Sequence, residues 1–432
     1  MQVIHINSSD INGGAARAAY RIHKSLQHFG IINGNLDSVM RVIKKDSDDY
    51  TVNGLPPKGK NKYYLFLLPY LAKLLRLGFK PEDHSIHSSA PLPSGIGREL
   101  ERRFKKDNNE IVHLHWLGDN TLSIEELGNI KQKIIWTLHD QWAFLGTEHY
   151  LMNPERGFTI QENDRFIRGY TKDNYLKSKL GRDIDRYTWK RKLRNWKNKM
   201  HIVCPSNWLA ECAKKSFLMR DWDISVIPYP IDLKKWSPVE PIQARKILNL
   251  ALNKKYILFG ALGGIKDYRK GSDLLFKALK KLSTNLDNSN LENIEIIIFG
   301  QSEPSNPINL GFPTHYFGHL HDDTSLRLVY SASDVFVIPS RLDNLPQTGI
   351  EAHSCGTPVA AFRTGGLADI VEDGVTGLLA SPFDYDMLAD SIKSILYNSE
   401  QINFRENSRK RAELLWDPTK IAQQYFDIYT SK

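Results

Sequence analysis

Short apolar runs alternate with amphipathic stretches through both halves of this chain, and that alternation leaves little choice of fold. In the first half the runs occupy 3–6, 111–115, 134–138 and 201–204; in the second they occupy 256–260, 294–299, 335–338 and 358–362. Runs that are mostly apolar rather than alternating, each followed by helix-period sequence, describe strands buried on both faces of a parallel, doubly wound α/β sheet. A chain of 432 residues exceeds what one hydrophobic core usually holds, so two such units are expected. The seam falls in Val226-Ile-Pro-Tyr-Pro-Ile-Asp232, where two prolines interrupt regular structure. This gives a first unit over 1–228, a second over 229–416 and a terminal helix over 417–430. That helix opens on Asp417-Pro418, a cap and first-turn pair, with Ile421, Tyr425 and Ile428 on one face.

The composition, 41% hydrophobic and 25% charged, is that of an ordinary globular protein. Cys204, Cys212 and Cys355 form no C-x-x-C pair and leave an odd count, which fits small core thiols in a reducing compartment. The opening Met1-Gln-Val-Ile-His-Ile6 reads as a strand without a basic n-region or cleavage site, so a cytoplasmic location is the expectation. The net charge of +9 is concentrated: 165–199 holds thirteen Lys or Arg against Asp173, Asp183 and Asp185, an excess larger than that of the whole chain. One local basic face is implied. No RNP, zinc-finger or helix-turn-helix signature accompanies it, and nucleic acid is not an expected partner.

Chemistry is densest in 339–358. Asp343 lies in the loop after the run at 335–338, and Glu351 falls about one turn inside the helix that follows. Open α/β sheets bind ligands at such strand ends, where helix N–H groups suit phosphate oxygens and carboxylates accept from hydroxyls. A sugar nucleotide has both. The first half has a parallel turn at Gly13-Gly14, which departs from the G-x-G-x-x-G fingerprint and so counts against a dinucleotide oxidoreductase. After the run at 256–260, a glycine-rich loop carries Lys266, Arg269 and Lys270 before Gly271, three cations suited to a diphosphate leaving group. His113, His115 and His139 sit at the carboxyl ends of first-half strands. Their spacing provides no defensible third and fourth ligand, so no metal is expected. Asp183-Ile-Asp185 and Asp221-Trp-Asp223 imitate a D-x-D metal motif but follow no strand, and read as surface charges.

Glu351-Ala-His-Ser-Cys-Gly-Thr-Pro-Val359, with Asp343 eight positions before the Glu, resembles the donor-site signature of the retaining glycosyltransferases of family 4. Where that family usually has Glu-Gly-Phe-Gly-Leu-Pro, this chain has Asp343-Asn344-Leu345-Pro346, as in a branch that builds bacterial exopolysaccharides. The resemblance covers most of the chain and is strongest over 256–380. It implies the GT-B fold, two Rossmann-like domains with the active site in the cleft between them, and a terminal helix that returns to the first domain. It implies donor contacts from Gly13, Gly14, Asn344, Leu345, Pro346 and Glu351, the last on the nucleotide ribose. It also places an Arg and a Lys on the pyrophosphate; Lys270 matches the Lys, and Lys266 or Arg269 fills the Arg position. Asp343 and Lys270 are carried over as catalytic, and His139, then His115, as the histidine beside the reacting sugar. The diphosphate itself takes the acceptor's proton in a front-face reaction, and no cofactor is implied.

Two segments bear on the acceptor. The stretch 63–79 places Leu71, Leu74 and Leu75 opposite Lys73 and Arg76, a pattern shared by interfacial and core helices. In 189–200, Trp189, Leu193, Trp196 and Met200 share a face with six cations around them. Together they suggest a protein resting on an anionic membrane surface and extending a polyprenyl-diphosphate-linked saccharide from a UDP- or GDP-sugar. The competing readings are a sugar-nucleotide epimerase or phosphorylase on the same fold, and a basic lipid- or polysaccharide-binding protein with a degenerate donor site.

Overall fold

The computed structural model describes residues 1–54, 67, 70, 110–118, 121–151, 164–175, 183–260, 267–320, 322–397 and 403–431. They form two α/β units, each built on one parallel sheet. The first unit contains the described residues of 1–151, 164–229 and 419–431, and the second those of 230–418.

In the first unit β1 (Gln2–Ser9), β2 (Asp37–Lys44), β3 (Val52–Gly54), β4 (Glu110–Leu114), β5 (Ile134–Thr137), β6 (His201–Cys204) and β7 (Ile224–Val226) lie in the order β3-β2-β1-β4-β5-β6-β7. The chain runs outward from β1 and then returns to its other side, so the order reverses between β1 and β4. In the second unit β8 (Lys255–Gly260), β9 (Ile294–Phe299), β10 (Thr314–Tyr316), β11 (Val335–Ile338), β12 (Val359–Phe362) and β13 (Gly377–Ala380) lie in the order β10-β9-β8-β11-β12-β13, reversing between β8 and β11. At such reversals the loops from neighbouring strands part to opposite faces and leave a crevice at the carboxyl edge.

Every apolar run expected to be a strand is one, to within a residue at each end except that β1 continues three residues further, to Ser9. The strands missing from the sequence reading are β2, whose burial alternates as in a half-covered strand, and β3, β7, β10 and β13, which have only three or four residues each. The helices that matter for the sites are α1 (Gly14–Asn33), α2 (Ile184–Asn195), α3 (Ser272–Thr284), α4 (Gln347–Ser354) and α5 (Pro418–Thr430). In α3, Leu274, Leu275, Ala278, Leu279 and Leu282 repeat at helical spacing and pack on Ile257, Ile296 and Val337 of the sheet. In α5 the buried face is Ile421, Ala422, Tyr425 and Tyr429; Ile428, expected on that face, is only partly covered. The Lys133 ammonium donates to the carbonyls of Ile428 (2.7 Å) and Tyr429 (3.2 Å), the favourable charge for a helix C-terminus.

The basic segment corrects the sequence reading. Lys192, counted among the cations of an exposed face, is fully buried, donates to the carbonyls of Trp142, Leu145 and Gly146, and lies 3.9 Å from the Trp142 ring centroid. Arg191 is buried in a bidentate pair with Glu125 (2.9 and 2.7 Å), and Arg165 pairs with Asp183. Lys192 thus holds α2 against the loop after β5, Arg191 holds it against the helix Ile124–Asn129 that precedes β5, and Arg165 ties the turn at 165–168 to the start of α2. Asp185 is likewise no surface charge: it is buried and accepts from the Thr147 backbone and hydroxyl, while Asp183 caps α2 at the Arg186 N–H (2.9 Å). Asp221 and Asp223 are exposed, as expected. All three cysteines are buried and unpaired. The Leu71, Leu74 and Leu75 stripe lies outside the described residues, and no described helix is long and apolar enough to cross a membrane.

Candidate active site

In the second unit, β8 and β11 are neighbours, so the loops that leave them start side by side. Backbone bonds lock these loops together: the Arg341 N–H donates to the Arg269 carbonyl (2.8 Å), and the Arg341 guanidinium grips the Tyr268 carbonyl (2.9 Å) and both oxygens of Asp273 (2.7 and 2.6 Å). Gly271 makes the approach possible. It sits at φ 67°, and a Cβ there would lie 1.9 Å from the Pro339 carbonyl oxygen.

The lock brings Lys270 and Arg269 onto Asp343. Lys270 Nζ lies 2.5 Å from Oδ2 and an Arg269 nitrogen 3.4 Å from Oδ1, while Arg269 also donates to the Leu342 carbonyl (2.9 Å). Burial pushes the Asp343 carboxyl pKa up, but the Lys270 and Arg269 charges more than offset this and leave it below the ordinary aspartate value. Asn344, Leu345 and Pro346 continue into α4, whose N-cap Pro346 offers no side-chain bond to the first-turn N–H groups. Glu351 is one turn inside, 3% exposed, and accepts from the Tyr330 hydroxyl (3.3 Å). Lys266 lies outside the described residues.

In the first unit the corresponding edge belongs to β1, β4 and β5. Gly13 (φ 98°) caps α1 without a side-chain bond, and Gly14 is its first helical residue; no described residue lies within 4 Å of where a Cβ would sit on either. Asp10, just before them, ties the loop to the end of β2 by accepting the Asp46 and Ser47 N–H groups (both 2.9 Å). His139 is 8% exposed at the end of β5. Its Nδ1 meets the Tyr229 hydroxyl at 2.8 Å and its Nε2 meets His115 Nδ1 at 3.2 Å. His115 Nε2 in turn meets His5 Nδ1 at 2.9 Å. His113 stacks on His115 with ring centroids 4.3 Å apart but makes its hydrogen bonds outside this line, to the Tyr429 hydroxyl (2.6 Å) and Thr137 (2.8 Å).

Residues 243–413 match the family described as glycosyl transferases group 1. Within that range fall Arg269, Lys270, Asp343 and Glu351. A D-inositol 3-phosphate glycosyltransferase of Catenulispora acidiphila is 29% identical over 48% of this chain and 50% of its own length. The chain thus spans about half the length of the relatives it matches. Among solved structures, sucrose-phosphate synthase from Thermosynechococcus elongatus superimposes with a TM-score of 0.64 at 19% identity, covering 99% of this chain and 98% of that one. Anabaena HepE, in complex with UDP and glucose, does so with a TM-score of 0.60 at 15% identity over the full length of both chains. The fold is therefore the GT-B type of α/β architecture.

Of the residues singled out in sequence, the second sheet gathers Arg269, Lys270, Asp343, Asn344, Leu345, Pro346 and Glu351 at one crevice, and the first gathers Gly13, Gly14, His115 and His139 at another. Two participants were missed. His5 was read only as part of an apolar strand, although a histidine amid Val3, Ile4 and Ile6 is itself a signal. Tyr229 was read only as part of the seam, yet its hydroxyl is the first partner of His139.

Proposed function

We propose that this chain transfers a hexose from a UDP- or GDP-sugar to a hydroxyl of a lipid-linked or polysaccharide acceptor, with retention at the anomeric carbon. The observation that carries the reading is the Lys270–Asp343–Arg269 cluster at the β8/β11 crevice, within the residues that match glycosyl transferases group 1. Asp343 keeps two cations beside an uncapped helix N-terminus before any ligand arrives. A nucleoside diphosphate then competes with Asp343 for charges already in place, so little reorganisation is needed as the glycosidic bond breaks. Lys270 and Arg269 supply the positive charge, and no metal or other cofactor enters this reading. The buried Glu351 carboxylate receives the ribose hydroxyls, and His139 serves the reacting sugar. The UDP complex of HepE favours UDP among the donors.

The name of the inositol phosphate relatives supports a second acceptor class, a small phosphorylated polyol. Peripheral attachment to the inner face of the cell membrane would rest on the exposed described cations of the basic segment, Arg168, Lys172, Arg194, Lys197 and Lys199, with the partly covered Lys190. The deciding experiment is a thermal-shift screen of UDP- and GDP-sugars, followed by calorimetry on Glu351→Gln. Loss of one charge-assisted hydrogen bond costs about 1.5–3 kcal/mol, so donor affinity should fall roughly ten- to a hundredfold with melting unchanged. Unchanged affinity removes Glu351 from the site. Nucleoside diphosphate released only in the presence of acceptor separates transfer from epimerisation.

A further inference from the structure

The line His5–His115–His139–Tyr229 runs from the middle of β1 to the residue at which the chain leaves the first unit, with one hydrogen bond at each step, 2.9, 3.2 and 2.8 Å long. All three imidazoles are buried, and burial, reinforced for His5 and His115 by neighbouring histidines, holds their pKa values low, that of His139 at about 4. They are neutral near pH 7. A neutral imidazole carries one N–H and one bare nitrogen, so each step holds a single proton and all the N–H groups must point the same way along the line. The tautomer of one ring therefore fixes that of every other.

Two arrangements satisfy this. In one, the Tyr229 hydroxyl donates to His139 Nδ1 and the line ends on a His5 Nε2–H. In the other, His5 Nδ1–H donates to His115, His115 Nδ1–H to His139 Nε2, and His139 Nδ1–H to the Tyr229 oxygen. Among the described residues His5 Nε2 is buried without a hydrogen-bond partner, and that decides between them. An orphaned buried N–H is rarer than an under-satisfied buried acceptor, so the second arrangement, which leaves a lone pair there, is favoured.

We propose that His5 and His115 are positioning residues that hold His139 as its Nδ1–H tautomer, so that His139 gives a hydrogen bond to the substrate rather than accepting its proton. This rests on the assignment of His139 to the reacting sugar. Only Nδ1 can be released to a ligand oxygen without breaking the buried part of the line, and it arrives carrying a proton. A general-base role for His139 is then excluded, and the proton of the acceptor hydroxyl has to leave on another group.

The test uses full-length protein labelled with 15N-histidine, in which long-range 1H–15N spectra distinguish the two neutral tautomers and a His139→Gln sample assigns the ring. Wild type should show His139 as Nδ1–H. His5→Leu should abolish that uniform signature, and His5→Asn should restore it, because the asparagine amide can donate from the position of Nδ1. With donor and acceptor, His5→Leu should lower kcat about ten- to a hundredfold, the usual cost of removing a partner that orients a functional histidine, with donor KM unchanged. Should His5→Leu fail to fold, Tyr229→Phe serves instead, and there the Nδ1–H form must persist because the His5 end sets it. An Nε2–H His139 in wild type, a switch to it in Tyr229→Phe, or a fall in kcat without a tautomer change overturns the proposal. So does one equivalent of transition metal in the purified protein that His5→Leu loses, since His5, His113 and His115 nitrogens lie within 4.8 Å of one another. The spectra need no turnover, so they decide the tautomer even if no nucleotide sugar proves to be a substrate.

Discussion

Asp343 is a carboxylate 7% exposed, and beside it lies a pair of cations to which the proposed function assigns the departing diphosphate. Lys270→Ala should therefore act twice. Turnover should fall by roughly two to three orders of magnitude, as when other contacts to developing charge are removed. Asp343 would keep Arg269 at 3.4 Å and the Asn344 N–H at 3.1 Å but lose part of its stabilisation. The acid limb of stability reports this directly. The folded-state pKa of Asp343 lies below the ordinary 3.8, so between the two values the unfolded chain binds more protons. The contribution is fully present above 3.8 and disappears as pH falls through the lower folded value. Asp343→Asn should thus flatten the decline of Tm below about pH 4 relative to wild type, measured by scanning calorimetry across pH 2–6. Parallel curves would mean that the ion pair contributes nothing to folding.

At the level of elements, two glycines at strand-to-helix turns make opposite predictions. Gly271→Ala places a side chain in the left-handed region and against the Pro339 carbonyl, so the two loops must separate. The backbone term alone costs about 1–2 kcal/mol, and Tm and nucleotide affinity should fall together. Gly14→Ala adds a methyl group where no described residue lies within 4 Å, on the first residue of α1, and should leave Tm unchanged or raise stability by about 0.4–1 kcal/mol. If Gly14 lies against the donor, as the family resemblance implies, activity falls while Tm does not. A Gly14→Ala protein with full activity would restrict donor binding to the second sheet. Four short strands escape the sequence reading. Length is not the whole reason, since β5, β6, β11 and β12 also have four residues and were legible; β3, β7, β10 and β13 are the edge strands, which need no run of residues buried on both faces.

For the whole molecule, the described cations of 165–199 divide between structure and solvent. Reversing Lys190, Arg194, Lys197 and Lys199 to Glu should abolish co-sedimentation with anionic vesicles at low salt, since each charge near such a surface contributes about 1 kcal/mol and fades within a Debye length. Lys192→Met should lower Tm instead, because three buried carbonyls lose their donor, at about 1–3 kcal/mol for a group left unsatisfied. Equal vesicle binding by wild type and the four-site variant would remove the membrane from the acceptor reading. The amino-acid sequence alone determined the α/β class, eight of the strands, the seam near Tyr229 and the segments holding Asp343, Glu351, Lys270 and His139, because strand burial and turn chemistry are local and leave periodic marks. Only the tertiary structure decided which strand ends are neighbours, that Lys270 and Arg269 share Asp343, that Lys192 is buried, and that His5 and Tyr229 close a line through His139. Those facts depend on sheet order and on contacts between residues up to a hundred or more positions apart, for which one sequence carries no periodic signal.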